Sequence, residues 1–143
     1  MKATFLLILA AWVVCGPSST ALSQGQPRSS HPAGQERLTL THAVTCEGVK
    51  DFAPLNPGVV FPTSIGKVLC FTHFDPVPQK TVIYHNWFHR DEISNKQRLV
   101  LQTPRWSCFS SIQLRESDKG PWRVEVTDST GRLLRVLRFS VTD

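Results

Sequence analysis

From Leu38 onward the apolar residues of this chain recur at every second position, and that alternation limits what it can fold into. In "WRVEVTD", Trp122, Val124 and Val126 fall on one face while Arg123, Glu125 and Thr127 fall on the other. A period of two belongs to a half-buried strand, because successive side chains of extended backbone point to opposite sides. The same reading applies to "LTLTHAVTCEGV", "IGKVLCFTHF", "TVIYHNWFHR", "LVLQ", "WSCFSSIQL" and "RLLRVLRFSV". Between these runs stand turn and breaker residues. "KDFAPLNPGVVFPTS" reads as a connecting loop with three prolines, "DPVPQ" as a turn, and "STG" as a tight turn with Gly131 placed for positive φ. In the last run Leu137, Phe139 and Val141 share a face with Arg135, so a bulge near Leu133 and Leu134 is expected. Residues 91 to 98 carry the weakest strand signal and suit a helical turn.

Seven short strands with turn signals between them predict an all-β fold, an antiparallel β-sandwich of immunoglobulin-like shape over residues 38–143. The chain has 143 residues, one domain's length and too short for two good cores.

The N-terminus has a different composition. Lys2 is followed by the apolar run "ATFLLILAAWVV" and then by the small-residue stretch "CGPSSTALSQ". Charge, apolar run and small residues in that order predict a signal peptide over residues 1–23. The apolar run is too short for a spanning helix, which needs about 20 residues. Ser19 with Ala21, or Ala21 with Ser23, satisfies the small-x-small rule for cleavage. Cys15 is preceded by Val14, where lipid attachment wants a small residue. Residues 24–37, "QGQPRSSHPAGQER", lack any large apolar side chain and predict a disordered linker. No transmembrane segment is expected in the mature chain.

Four segments in order carry a family resemblance. They are Phe71 in "KVLCFTHF", His85 with Trp87 in "TVIYHNWFHRDE", Trp106 with Ser110 and Ser111 in "TPRWSCFSSIQL", and the hairpin from Gly120 to Gly131 in "GPWRVEVTDSTGRLLRVLRFSV". Together, over roughly residues 41 to 142, they resemble the bacterial domain-of-unknown-function family numbered 2914. The resemblance implies an exported or membrane-attached domain without a known activity. It supports fold and compartment and adds no reaction.

Spacing constrains what the chemistry-bearing residues can do. His85 and His89 would share a zinc ion only on a helix. Four residues of strand span about 13 Å, too far for two imidazoles bound about 2.0 Å from one metal. If the second and third strands form a hairpin about "PVPQ", His73 and His85 lie opposite each other and could share an ion, though a third ligand is wanting. Cys108 with His85 and Arg105 or Arg123 would make a Cys–His–Arg nucleophilic set of the sortase kind. The chain lacks the threonine-rich run expected before such a cysteine. Trp87, Trp106 and Trp122 could stack a sugar, but Trp at alternating strand positions is more often core. No glycine-rich phosphate loop and no nucleic-acid motif is present, and the net charge of +5 includes no basic run.

The sequence therefore favours an exported, non-enzymatic binding or accessory module of the cell envelope, with no cofactor. Its partner would be an envelope protein or a glycan rather than nucleic acid. His85, Trp87, Arg105 and Trp106 are the candidate binding residues. The alternatives are a small enzyme using Cys108 and His85, or a metal carrier using His73 and His85. Loss of Cys15 with the signal peptide leaves three cysteines. Cys46 and Cys70 are equidistant from residue 58, so an antiparallel pairing about that loop predicts a Cys46–Cys70 disulfide.

Intact mass of the protein from its native host checks the export reading. The mature chain is expected to start at Leu22 or Gln24 with a formal charge of +4, the full chain's +5 less Lys2. A chain retaining Met1 in cytosolic extract contradicts it.

Overall fold

The computed structural model describes residues 36–143. The expected signal peptide, most of the expected linker and Cys15 lie outside them. Nine strands form among the described residues: β1 (Leu40–Lys50), β2 (Ala53–Pro57), β3 (Val60–Pro62), β4 (Lys67–Phe74), β5 (Thr81–His89), β6 (Glu92–Leu101), β7 (Trp106–Gln113), β8 (Gly120–Asp128) and β9 (Leu133–Thr142). They make two sheets, a four-stranded one in the order β2-β1-β4-β7 and a five-stranded one in the order β3-β9-β8-β5-β6. One core joins them. Val68, Cys70 and Phe74 of β4 and Ile112 of β7 pack with Ile83, Trp87, Val124, Val126, Phe139 and Val141 of the other sheet. The protein is thus an all-β, sandwich-like fold. Among the described residues no helix is long and apolar enough to cross a membrane.

The alternation read from the sequence sets the inner faces. Trp122, Val124 and Val126 of β8 are buried, and so are Ile83, His85 and Trp87 of β5. The β8–β9 register slips between Val126↔Arg135 and Thr127↔Leu133, which leaves Leu134 as the extra residue of a bulge where one was expected. Gly131 closes the turn at φ 87. Asp128 holds that turn together. It accepts from the Thr130 and Arg132 backbone amides and from their side chains, and those bonds draw its carboxyl down to about 2.

Several expectations need correction. The strands number nine rather than seven, because the proline-rich stretch after Lys50 contains β2 and β3. Both lie at sheet edges, where a missing proline N–H leaves no gap in a ladder. β3 pairs with β9 in parallel, so the pairing is not wholly antiparallel. Residues 91 to 98 hold no helical turn but extend β6, an edge strand whose residues are mostly exposed. β4 and β5 do not form a hairpin, for the chain crosses between sheets there.

The expected disulfide is also absent. β1 and β4 do pair antiparallel, but with Cys46 opposite Leu69 and Cys70 opposite Thr45. The register is one residue off the symmetric one. A slip of one turns a side chain to the other face. Cys70 therefore points into the intersheet core, while Cys46 joins Leu69 and Phe71 in a small cluster on the other face. Cys46, Cys70 and Cys108 are free thiols. Peptide mapping of unreduced protein is expected to recover all three unlinked, and a Cys46–Cys70 linked peptide would overturn this register.

Candidate functional site

The chemistry-bearing residues meet inside the sandwich. β5 places His85 and Trp87 on the inner face of the five-stranded sheet, each fully buried. β4 and β7 place Thr72, Cys108 and Ser110 on the facing side, with Thr72 opposite Cys108 and Cys70 opposite Ser110. His85 Nδ1 lies 2.8 Å from Ser110 Oγ, and His85 Nε2 lies 3.2 Å from Thr72 Oγ1. The Trp87 indole N–H donates to Ser110 Oγ at 3.0 Å. Thr72 Oγ1 lies 3.4 Å from the Cys108 carbonyl and 3.2 Å from its sulfur.

Donor counting gives this chain a direction. The indole is a donor only. Ser110 accepts from it and donates its own hydrogen to His85 Nδ1. His85 Nε2–H then donates to Thr72, whose hydroxyl donates to the Cys108 carbonyl. In this arrangement each hydrogen of the chain has an acceptor, and no buried side-chain nitrogen or oxygen among the described residues lacks a partner. The assignment makes His85 the neutral Nε2–H tautomer.

Burial lowers the His85 pKa to about 4, since a charged imidazolium loses its hydration there. It also raises all three thiols. Cys70 is pushed furthest, with the neighbouring Cys108 and Cys46 adding to the effect. Cys46 and Cys108 rise less, backbone hydrogen bonds from Gly48 and Leu55 opposing the rise in the first and Thr72 opposing it in the second. At neutral pH the pair is a neutral imidazole and a neutral thiol, neither the thiolate nor the cation that nucleophilic catalysis needs. Arg123 lies on the outer face of the other sheet, beside Phe88 and opposite Arg138. Arg105 is exposed in the β6–β7 connection. The structure therefore does not bring together the Cys–His–Arg set.

The other candidates separate as well. His73 lies on the outer face of the four-stranded sheet, beside His42 and 2.8 Å from Ser107 Oγ. His85 is inside, so the two cannot share an ion. His89 stacks on Trp122 at 4.5 Å with Nε2 3.1 Å from the Lys119 carbonyl. Among the described residues no group of three or more His, Cys, Asp or Glu is placed to hold a metal. His85 and Trp87 have no exposed surface to offer a ligand, and Trp122 is also buried. Trp106, at the start of β7, is 39% exposed and stands alone as an accessible tryptophan among those described.

Residues 80–141 match the family model described as Protein of unknown function (DUF2914). That match supports the resemblance to the DUF2914 family over those residues. The match runs from just before β5 to the end of β9. It covers the histidine–tryptophan pair, the serines after Trp106 and the closing hairpin, while Phe71 of β4 lies outside it. No curated protein matches the chain. Among solved structures, a selenomethionine-labelled β-glucosidase from Kluyveromyces marxianus shares 13% identity at a TM-score of 0.40. That likeness covers 75% of this chain and 14% of the enzyme.

Thr72 has no part in the sequence reading, and Ser110 enters it only through the family resemblance, not as a partner of His85. Thr72 falls at inner parity between Cys70 and Phe74, and Ser110 between Cys108 and Ile112. A hydroxyl on an otherwise apolar face is the signal for a buried hydrogen-bond partner.

The His85 shift has a consequence for stability. The unfolded histidine binds its proton near 6.5, the folded one near 4. Between those values the unfolded chain holds more protons, so stability falls as pH drops from about 6.5 towards 4. The full loss is on the order of 3 kcal/mol. Asp128 acts lower, since its stabilising charge is lost only as pH falls below 3.8. Urea unfolding of the protein and of His85→Gln between pH 7.5 and 4.5 measures this. The loss is expected in the first and largely absent in the second.

Proposed function

We propose that the chain is an exported, non-enzymatic β-sandwich of immunoglobulin-like type that binds a ligand or partner at the cell envelope. The observation that carries this is the closed chain Trp87–Ser110–His85–Thr72–Cys108. The His85 imidazole, fully buried between the two sheets, spends both nitrogens on hydrogen bonds to Ser110 and Thr72, and the Trp87 indole is likewise bonded to Ser110. Export rests on the N-terminal charge, apolar run and small residues.

The immunoglobulin-like reading rests on strand order. β1, β4 and β7 follow the A-B-E order of one immunoglobulin sheet, and β9, β8 and β5 follow G-F-C of the other. β6 then extends the second sheet as an added strand. Trp87 occupies the place of the buried tryptophan on strand C, and Cys70 lies on strand B. β8, in the place of strand F, has Val124 and Val126 inward instead of a cysteine, so the sandwich is held there by apolar packing.

Native thiol reactivity separates a binding module from a Cys108 enzyme. Alkylation of Cys108 by iodoacetamide at pH 7.5 is expected to run at least about tenfold slower than that of free cysteine, because the thiol is partly buried and its pKa is raised by that burial. A rate above free cysteine, with a pH midpoint well below that of an ordinary thiol, would contradict the reading.

A further inference from the structure

The outer face of the five-stranded sheet carries a second arrangement, built around the β5–β6 turn. Arg90 and Asp91 both take left-handed backbone, at φ 49 and 68. Two consecutive positive φ values suit a hairpin turn, but such turns favour Asn and Gly. Here the strained conformation is held from outside. The Arg90 amide donates to the Pro121 carbonyl at 3.1 Å, and Arg90 Nη2 donates to the Lys119 carbonyl at 3.0 Å. Gly120, at φ 117, makes room for this, because a Cβ there would stand 3.3 Å from Arg90 Nε.

The turn completes one side of an open groove of about 670 Å³, in the range of small-ligand sites. Val59, Val60 and Pro121 line it together with three arginines, Arg90, Arg123 and Arg138. Arg123 and Arg138 are direct cross-strand partners. Like charges so placed repel. Arg123 is matched: Nε donates to Glu125 Oε1 at 2.9 Å, Nη1 donates to the Asp91 carboxylate, and the guanidinium lies 4.0 Å over the Phe88 ring. Arg138 has no carboxylate partner among the described residues, and Arg90 meets only a carbonyl. Two guanidinium charges therefore face the groove unmatched, beside apolar walls in which Val59 and Val60 are 66% and 59% exposed.

We propose that this groove binds an organic oxyanion, a phosphate monoester or carboxylate whose charge meets Arg138 and Arg90 and whose apolar body lies along Val59, Val60 and Pro121. The guanidinium fork fits such an anion with paired N–H donors. A polynucleotide is disfavoured, because Trp122 and Phe139 are buried and Phe88 is capped by Arg123, which leaves no free ring for base stacking. The proposal rests on the binding-module reading and gives it a ligand class.

Titration of the 15N-labelled exported chain with phenyl phosphate tests it. Saturable shifts are expected at Arg90, Arg138 and their neighbours, with inorganic phosphate binding more weakly because it lacks the apolar body. Arg138→Gln should weaken phenyl phosphate at least about tenfold, and Arg98→Gln, an exposed substitution on β6, should leave it unchanged. Unfolding midpoints of both variants guard against lost structure. A parallel arm uses phosphatidylglycerol and phosphatidylcholine vesicles. Arg138-dependent sedimentation with the first alone assigns the anion to a lipid headgroup, and phenyl phosphate binding without it assigns a soluble anion. No saturable binding in either arm, or equal weakening by Arg98→Gln, overturns the groove. That failure leaves the Cys108 reactivity result untouched, so it can be told from failure of the binding-module reading itself.

Discussion

Everything else in this sandwich is arranged around the imidazole of His85. Its two nitrogens reach from the five-stranded sheet to Ser110 and Thr72 of the four-stranded one, and the Trp87 indole makes a third link to Ser110. An apolar interface between two sheets tolerates sliding, whereas a polar chain is satisfied at one relative placement only. In a low-dielectric interior an unmatched donor there costs about 1–3 kcal/mol. The network thus fixes how the sheets face each other, with both nitrogens of the His85 imidazole engaged in hydrogen bonds.

The surface bears what function the fold has room for. The two faces of the five-stranded sheet divide the work. Inward residues of β5, β8 and β9 make the core. Outward residues at one end, Phe88, Arg123 and Arg138, form a charged row that the Arg90–Asp91 turn borders. Within the DUF2914 match, the histidine–tryptophan pair and the closing hairpin both serve as interior or turn structure, so a family read from such residues speaks for the fold before it speaks for an activity.

Much of the architecture was legible in the sequence because burial leaves a period-two trace. The inner face of β8, the bulge at Leu134 and the turn at Gly131 all follow from which residues alternate. Where no face is fully buried the trace disappears. β6 is an edge strand whose first half is exposed, so residues 91 to 98 read as a helical turn, and β2 and β3 hide behind prolines that only an edge admits. Chain symmetry misled twice. Cys46 and Cys70 are equidistant from residue 58, yet the ladder settles one residue away and sends them to opposite faces. His73 and His85 are equidistant from 79, yet the chain leaves one sheet for the other between them. His85 and Trp87 read from the sequence as candidate binding residues, because alternation alone does not tell a binding pair from a buried one. The hydroxyls of Thr72 and Ser110 decide that, and their facing positions come from tertiary packing.

The central claim is that His85 is a neutral imidazole, hydrogen-bonded at both nitrogens in the interior. Long-range 1H–15N spectra of its ring, followed from pH 8 to pH 5, test it most directly. The account predicts one neutral tautomer, protonated at Nε2, with shifts that stay constant down to about pH 6 and only begin to move as pH 5 is approached. A ring that titrates with a midpoint near 6.5 would place His85 in contact with solvent, and would contradict both the closed network and the non-enzymatic reading built on it.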